Sequence, residues 1–142
     1  MRANWPAPRD SVIETRGGTM FTGVVWREAQ LPHSEGAGVN RVTFAPRSRT
    51  FWHRHPVGQM LLGVAGGGLV VTRDAVHGIG EGAVVHAFAG EDHWHGALPD
   101  AFMSHQSIVL GGDTEWLEEV SEEDYLAAVA NLHADPPNSL AG

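Results

Sequence analysis

The chain has 142 residues and a mass of 15.2 kDa, the length of one domain, and can bury a core without staples. Nine basic against 17 acidic residues give a net charge of −8, which argues against a nucleic-acid backbone or an anionic membrane surface as partner; the 42% hydrophobic content argues against disorder. There is no Cys, which excludes disulfides and thiolate chemistry, and no Lys, which excludes Schiff bases and P-loop phosphate binding.

Taken in chain order, residues 1–14 carry two early prolines and no apolar stretch of a leader, and are expected to form an N-terminal arm. The longest apolar run, 60–71, is too short to span a bilayer, so a soluble, cytoplasmic protein is expected. Residues 20–27 are rich in β-formers. Over 39–44, Asn40, Val42 and Phe44 share one face; over 49–55, Phe51, His53 and His55 do. Strands are expected at 59–65 and 69–73, on either side of a turn at Gly66, Gly67 and Gly68, and again at 83–88, 93–96 and 101–110. Short strands at even spacing predict an all-β barrel or sandwich over 15–120. The period then changes: Ser121 and Asp124 resemble a capping box, Leu126, Val129 and Leu132 recur at helical spacing, and a helix is expected over 121–133. Pro136 and Pro137 end it, leaving 134–142 as a tail.

The nine histidines carry the chemical signal. His53 and His55 are spaced i, i+2, so a strand presents both imidazoles to one side; Pro56 and Gly58 then reverse the chain and can return Gln59 to it. His93 and His95 repeat the spacing about forty residues on, and His105 shares a face with Met103, Ser107 and Val109. One such pair is more often two polar side chains than a ligand pair. Two pairs and a third inward histidine point to a metal, because buried neutral imidazoles need partners. Trp52 and Trp94, out of phase with their neighbours, face away. His33 and His77 are assigned to solvated turns, His133 to the helix C-terminus, and His86 to structural burial or a pocket wall.

The spacing of these residues resembles the two cupin motifs. The first is matched by Arg47 in place of Gly, then His53, His55, Gln59 in place of Glu, and Gly66. The second is matched by Gly82, Phe88 in place of Pro, Gly90, His93, and Ala97 in place of Asn. Residues 52–59, 90–97, 103–105 and 116–120 further resemble the single-domain, manganese-dependent bacterial cupins that include hydroxynitrile lyases. The resemblance implies a single-domain cupin β-barrel, or jelly roll, with a short C-terminal helix. It implies His53, His55, Gln59 and His93 as metal ligands, and places His95 and His105 beside the substrate. Mn²⁺ is the expected ion, with Fe²⁺, Zn²⁺ and Ni²⁺ as alternatives.

Gln59 shapes the expected chemistry. Three neutral imidazoles and a neutral amide leave a divalent ion its full charge, which suits Lewis-acid activation of a hydroxyl or carbonyl oxygen. His105 is then the candidate base, with His95 as second base or proton donor. Asn40, Val42, Leu61 and Val109 are candidate pocket residues for a small, uncharged or aromatic substrate. The first expectation is lyase-type cleavage of a cyanohydrin or related hydroxy compound. A cupin dioxygenase, an isomerase or cyclase, and a non-catalytic small-molecule binder are the alternatives. A homodimer is expected from the outward Trp52 and the β-prone segment 20–26, with an N-terminal strand crossing to the partner.

Overall fold

A computed structural model describes residues 1–3 and 12–134, apart from the side chains of residues 133 and 134. Most of the expected arm, the expected tail from 135 on, the helix-ending prolines and the His133 side chain lie outside the described residues. The strands are β1 (Val12–Arg16), β2 (Phe21–Thr22), β3 (Val24–Ser34), β4 (Ala37–Phe44), β5 (Arg49–Thr50), β6 (His53–Arg54), β7 (Gln59–Thr72), β8 (Val76–Gly80), β9 (Val84–Ala87), β10 (His93–Ala97), β11 (Met103–Leu110) and β12 (Glu115–Trp116). The helix α1 (Glu122–Ala134) follows.

The path β1-β3-β4-β11-β7-β10-β5-β2 is antiparallel at every step, and β7 joins its two halves. This is the all-β barrel expected from the strand spacing. Alternation along each strand sends one set of side chains inward and the other outward. Phe21, Val25, Val42, Phe44, Leu61, Val70, Ile79 and Met103 form the inner core. On the opposite face of β7, Leu69 and Val71 join Trp52, Trp94, Val120 and Tyr125 in a second core that α1 covers.

Several local expectations change. The Gly66–Gly68 stretch is no turn: β7 runs through it for 14 residues. The glycines serve close strand approach, since a Cβ on Gly66 would lie 1.9 Å from the Phe102 carbonyl oxygen and one on Gly68 2.3 Å from that of Gly96. Gly66 has φ +74°, which lets the strand bend as it passes from β11 to β10. The expected strand 20–27 breaks at Gly23 between β2 and β3, and the expected strand 49–55 breaks between β5 and β6. His77 is on β8 rather than in a turn, His33 is on β3, and His86 is exposed on β9, beside Phe88, rather than buried.

The N-cap half of the expected box forms, with the Asp124 backbone N–H donating to Ser121 Oγ at 3.0 Å. The buried stripe of α1 is Tyr125, Ala128 and Val129, while Leu126 stays 45% exposed. Trp52 does face away from the histidines, but α1 and its preceding segment cover it, so it provides no sticky outer surface. Among the described residues no helix is long and apolar enough to cross a membrane.

Candidate metal centre and active site

The barrel brings the two histidine pairs together by register. His93 on β10 pairs with His53 on β6, and a chain reversal at Pro56–Gly58 returns Gln59 at the head of β7. One nitrogen from each of His53, His55 and His93 lies within 4.8 Å of the others, and all three side chains are buried.

Hydrogen bonds fix which nitrogens face inward. His53 Nδ1 donates to the Phe51 carbonyl and His93 Nδ1 to the Glu91 carbonyl, each at 2.9 Å. A carbonyl only accepts, so both rings carry their proton on Nδ1 and keep a lone pair on Nε2. His55 Nδ1 lies 3.3 Å from Thr114 Oγ1, and its buried Nε2 has no partner among the described residues. Gln59 Nε2 donates to Ser107 Oγ at 2.6 Å, which turns its Oε1 toward the imidazoles, 2.9 Å from His93 Nε2. The Gln59 side chain also approaches His53 and His55.

Two acceptors thus face each other, and an orphaned nitrogen joins them. A cation between them relieves that arrangement, and four neutral N and O donors suit a divalent transition metal. Burial, then the charge a neighbouring imidazole would carry, holds His53 well below the usual histidine range and His55 down at about 4. Burial also lowers His93. Lone pairs are therefore free for a ligand at neutral pH.

The second tier is a histidine dyad. His105 Nε2 lies 3.1 Å from His95 Nδ1, and His95 Nε2 is buried without a partner among the described residues. Burial holds His105 down at about 4; burial and then His105 hold His95 well below its ordinary range. Both rings pack on the edge and face of Phe44, with centroids 5.7 and 5.6 Å away.

A cavity of about 240 Å³ opens over these groups and is lined by His53, His55, Gln59, His95 and His105. Asn40, Val42 and Val109 also line it, whereas Leu61 is fully buried in the inner core. Sequence reasoning missed Arg27, Thr50, Thr114 and Trp116 in the wall. Arg27 had a signal, because it shares the inward parity of Val25; Trp116, whose ring centre lies 4.9 Å from that of His53, lay in the resembling stretch 116–120. A wider groove between β8 and α1 holds none of the buried histidines.

No protein-family model matches the chain. It is 40% identical over 111 residues to the (R)-mandelonitrile lyase of Granulicella tundricola, covering 74% of this chain and 85% of that protein. It is 32% identical to a cupin-like protein from Thermotoga maritima, with a TM-score of 0.74 over 90% of this chain and 95% of the other. The chain belongs to the cupins. Its barrel also superimposes on a polyketide cyclase from Streptomyces resistomycificus, with a TM-score of 0.65 at 14% identity over 88% of this chain and 95% of that one, a likeness of fold alone. Where the cupin motif has its first glycine, this cupin has Arg47, and the backbone there keeps a left-handed φ of +69°. Arg47 holds that conformation with an ion pair to Glu122 and its guanidinium 5.9 Å from the Tyr125 ring centre.

Proposed function

We propose that this cupin is an enzyme that cleaves a cyanohydrin or a related small hydroxy compound. It would do so with a divalent metal, Mn²⁺ first, held by His53, His55, His93 and Gln59. The observation that supports this most is the convergence of three imidazoles and one amide oxygen, of which His53, His55 and Gln59 line a small cavity. The mandelonitrile lyase at 40% identity suggests the reaction. A bound ion there would supply Lewis acidity, acidifying a hydroxyl and stabilising the negative charge that develops on its oxygen.

The chain's own residues supply the rest. Val42 and Val109 give apolar walls that limit water, and Asn40 offers one polar contact. The substrate hydroxyl gives its proton to His95 Nε2, which like His105 Nδ1 is buried with no bond partner among the described residues. With the resident proton on His95 Nδ1, the 3.1 Å bond to His105 Nε2 passes that proton on, so the charge comes to rest on His105. The C–C bond then breaks with its electron pair going to cyanide, the oxygen becomes the aldehyde carbonyl, and the dyad returns one proton to give HCN. Burial keeps both imidazoles neutral before the reaction, as an acceptor pair requires.

The test is metal analysis of the purified protein followed by mandelonitrile cleavage under argon. Aldehyde release should scale with bound metal and need no O₂. His53→Ala should lose both metal and activity, while His105→Ala and His95→Ala should keep the metal and lose about 10²–10⁴-fold in turnover. Failure to bind stoichiometric Mn²⁺, or aldehyde release that requires O₂, would refute the reading.

A further inference from the structure

The inner wall carries a cation with no carboxylate counterpart among the described residues. On β3, Val25, Arg27 and Ala29 alternate inward; Val25 enters the core, and Arg27 and Ala29 line the cavity. The Arg27 guanidinium carbon sits 5.4 Å from the centre of the buried Phe21 ring. Its Nε is buried and has no hydrogen-bond partner among the described residues. Arg16, Arg47, Arg49, Arg54 and Arg73 each pair with a carboxylate, whereas Arg27 pairs with none among the described residues. Among the described residues no Asp or Glu lines the cavity, and the four candidate ligands are neutral. A chain of net charge −8 has therefore kept every described carboxylate away from the one cavity that holds its imidazoles.

We infer that Arg27 is a binding group for an anionic part of the substrate, and that the hydroxy compound this site takes carries a carboxylate. A guanidinium presents paired N–H donors whose spacing matches two carboxylate oxygens. The ring of Phe21 steadies the guanidinium face while leaving its donor edge to a ligand. An apolar-walled cavity with one sign of charge also concentrates an anion from solution, against the repulsion of an acidic surface. At about 240 Å³ the cavity suits a short-chain hydroxy acid rather than a drug-sized molecule. Arg2 bonds to the carbonyls of Pro32, Ser34 and Ala37, and Arg41, whose Nε is also unpartnered among the described residues, does not line the cavity; Arg27 shares the cavity wall with His95 and His105. The inference rests on the reading above only in taking this cavity as the active site, and does not need the cyanohydrin reaction.

The experiment is calorimetric titration of the metal-loaded protein with 3-hydroxypropionate and 4-hydroxybutyrate and with their neutral amides. In the wild type the better-fitting carboxylate should bind at least roughly tenfold tighter than its amide, the scale of one charge-assisted pair. In Arg27→Gln that preference should fall by about the same factor, with metal content unchanged; any preference that remains belongs to the ion. A second measurement needs no variant: the Arg27 Nε–H resonance of ¹⁵N-labelled protein should shift with the carboxylates and not with the amides. Equal binding of acid and amide by the wild type, an undiminished preference in Arg27→Gln, or an Arg27 resonance indifferent to carboxylate would each overturn the inference. Metal content and mandelonitrile cleavage are read separately. Absence of mandelonitrile cleavage by metal-loaded protein that keeps an Arg27-dependent acid preference would sink the proposed reaction and leave this inference standing.

Discussion

Two buried polar clusters lie on opposite sides of the same sheet, and they differ in one respect. Outside the barrel, Arg49 is 3% exposed, yet every group is used: Nε and one terminal nitrogen donate to the Val120 carbonyl at 3.3 and 2.9 Å, and the other donates to the Arg47 carbonyl at 3.1 Å. Glu122 balances its charge at 3.5 Å, the Tyr125 ring lies 4.7 Å beneath it, and the Tyr125 hydroxyl donates to the Ala97 carbonyl at 2.8 Å. Inside the barrel, ring nitrogens of His55, His95 and His105 go without partners among the described residues, and Gln59 points an acceptor at another acceptor. Buried polar groups are normally satisfied, so the outer cluster reads as architecture, whereas the inner one leaves potential ligand atoms unpaired among the described residues.

The contrast is most sharply broken at Arg49. Arg49→Met should remove three backbone bonds and orphan the Val120 carbonyl, costing about 3–5 kcal/mol of stability in urea unfolding while metal affinity per folded molecule stays the same. The inner cluster should respond to acid instead. His105 is held down at about 4 against 6.5 in the unfolded chain, so between those values the unfolded state takes up a proton that the folded state refuses. Metal-free protein should thus lose stability as pH falls from 6.5 to 4, by about 3 kcal/mol for His105 alone, in urea midpoints compared across that range. The Arg49 guanidinium adds nothing in that window, because it stays charged.

A smaller effect tests how the ligand set is aimed. Ser107→Ala frees the Gln59 amide to turn its N–H₂ toward His93, and metal affinity in a chelator competition should fall about 10–100-fold, with Ser107→Thr restoring most of it. The smallest effect lies in the outer cluster. Arg47→Gly removes a left-handed non-glycine residue but also a half-exposed ion pair, so the two contributions, about 1 kcal/mol each, should nearly cancel in thermal unfolding. A loss above about 2 kcal/mol would mean that Arg47 belongs to the buried network after all.

The sequence by itself determined what depends on neighbours along the chain. Period-2 alternation put His53, His55, His93, His95 and His105 inside and Trp52 and Trp94 outside, and the cap at Ser121 started the helix where expected. These are local properties of a strand or a first helical turn, legible without knowing what lies opposite. Only the tertiary structure decided which long-range neighbour each group meets. It ran β7 through three glycines because other backbones crowd them, turned α1 so that Tyr125 rather than Leu126 is buried, and set Ser107 against Gln59 across 48 residues. It also left Arg27 without a described carboxylate partner inside a cavity that alternation alone could not enclose. Register and strand closure fix these distances, and both are properties of the whole sheet rather than of any one segment.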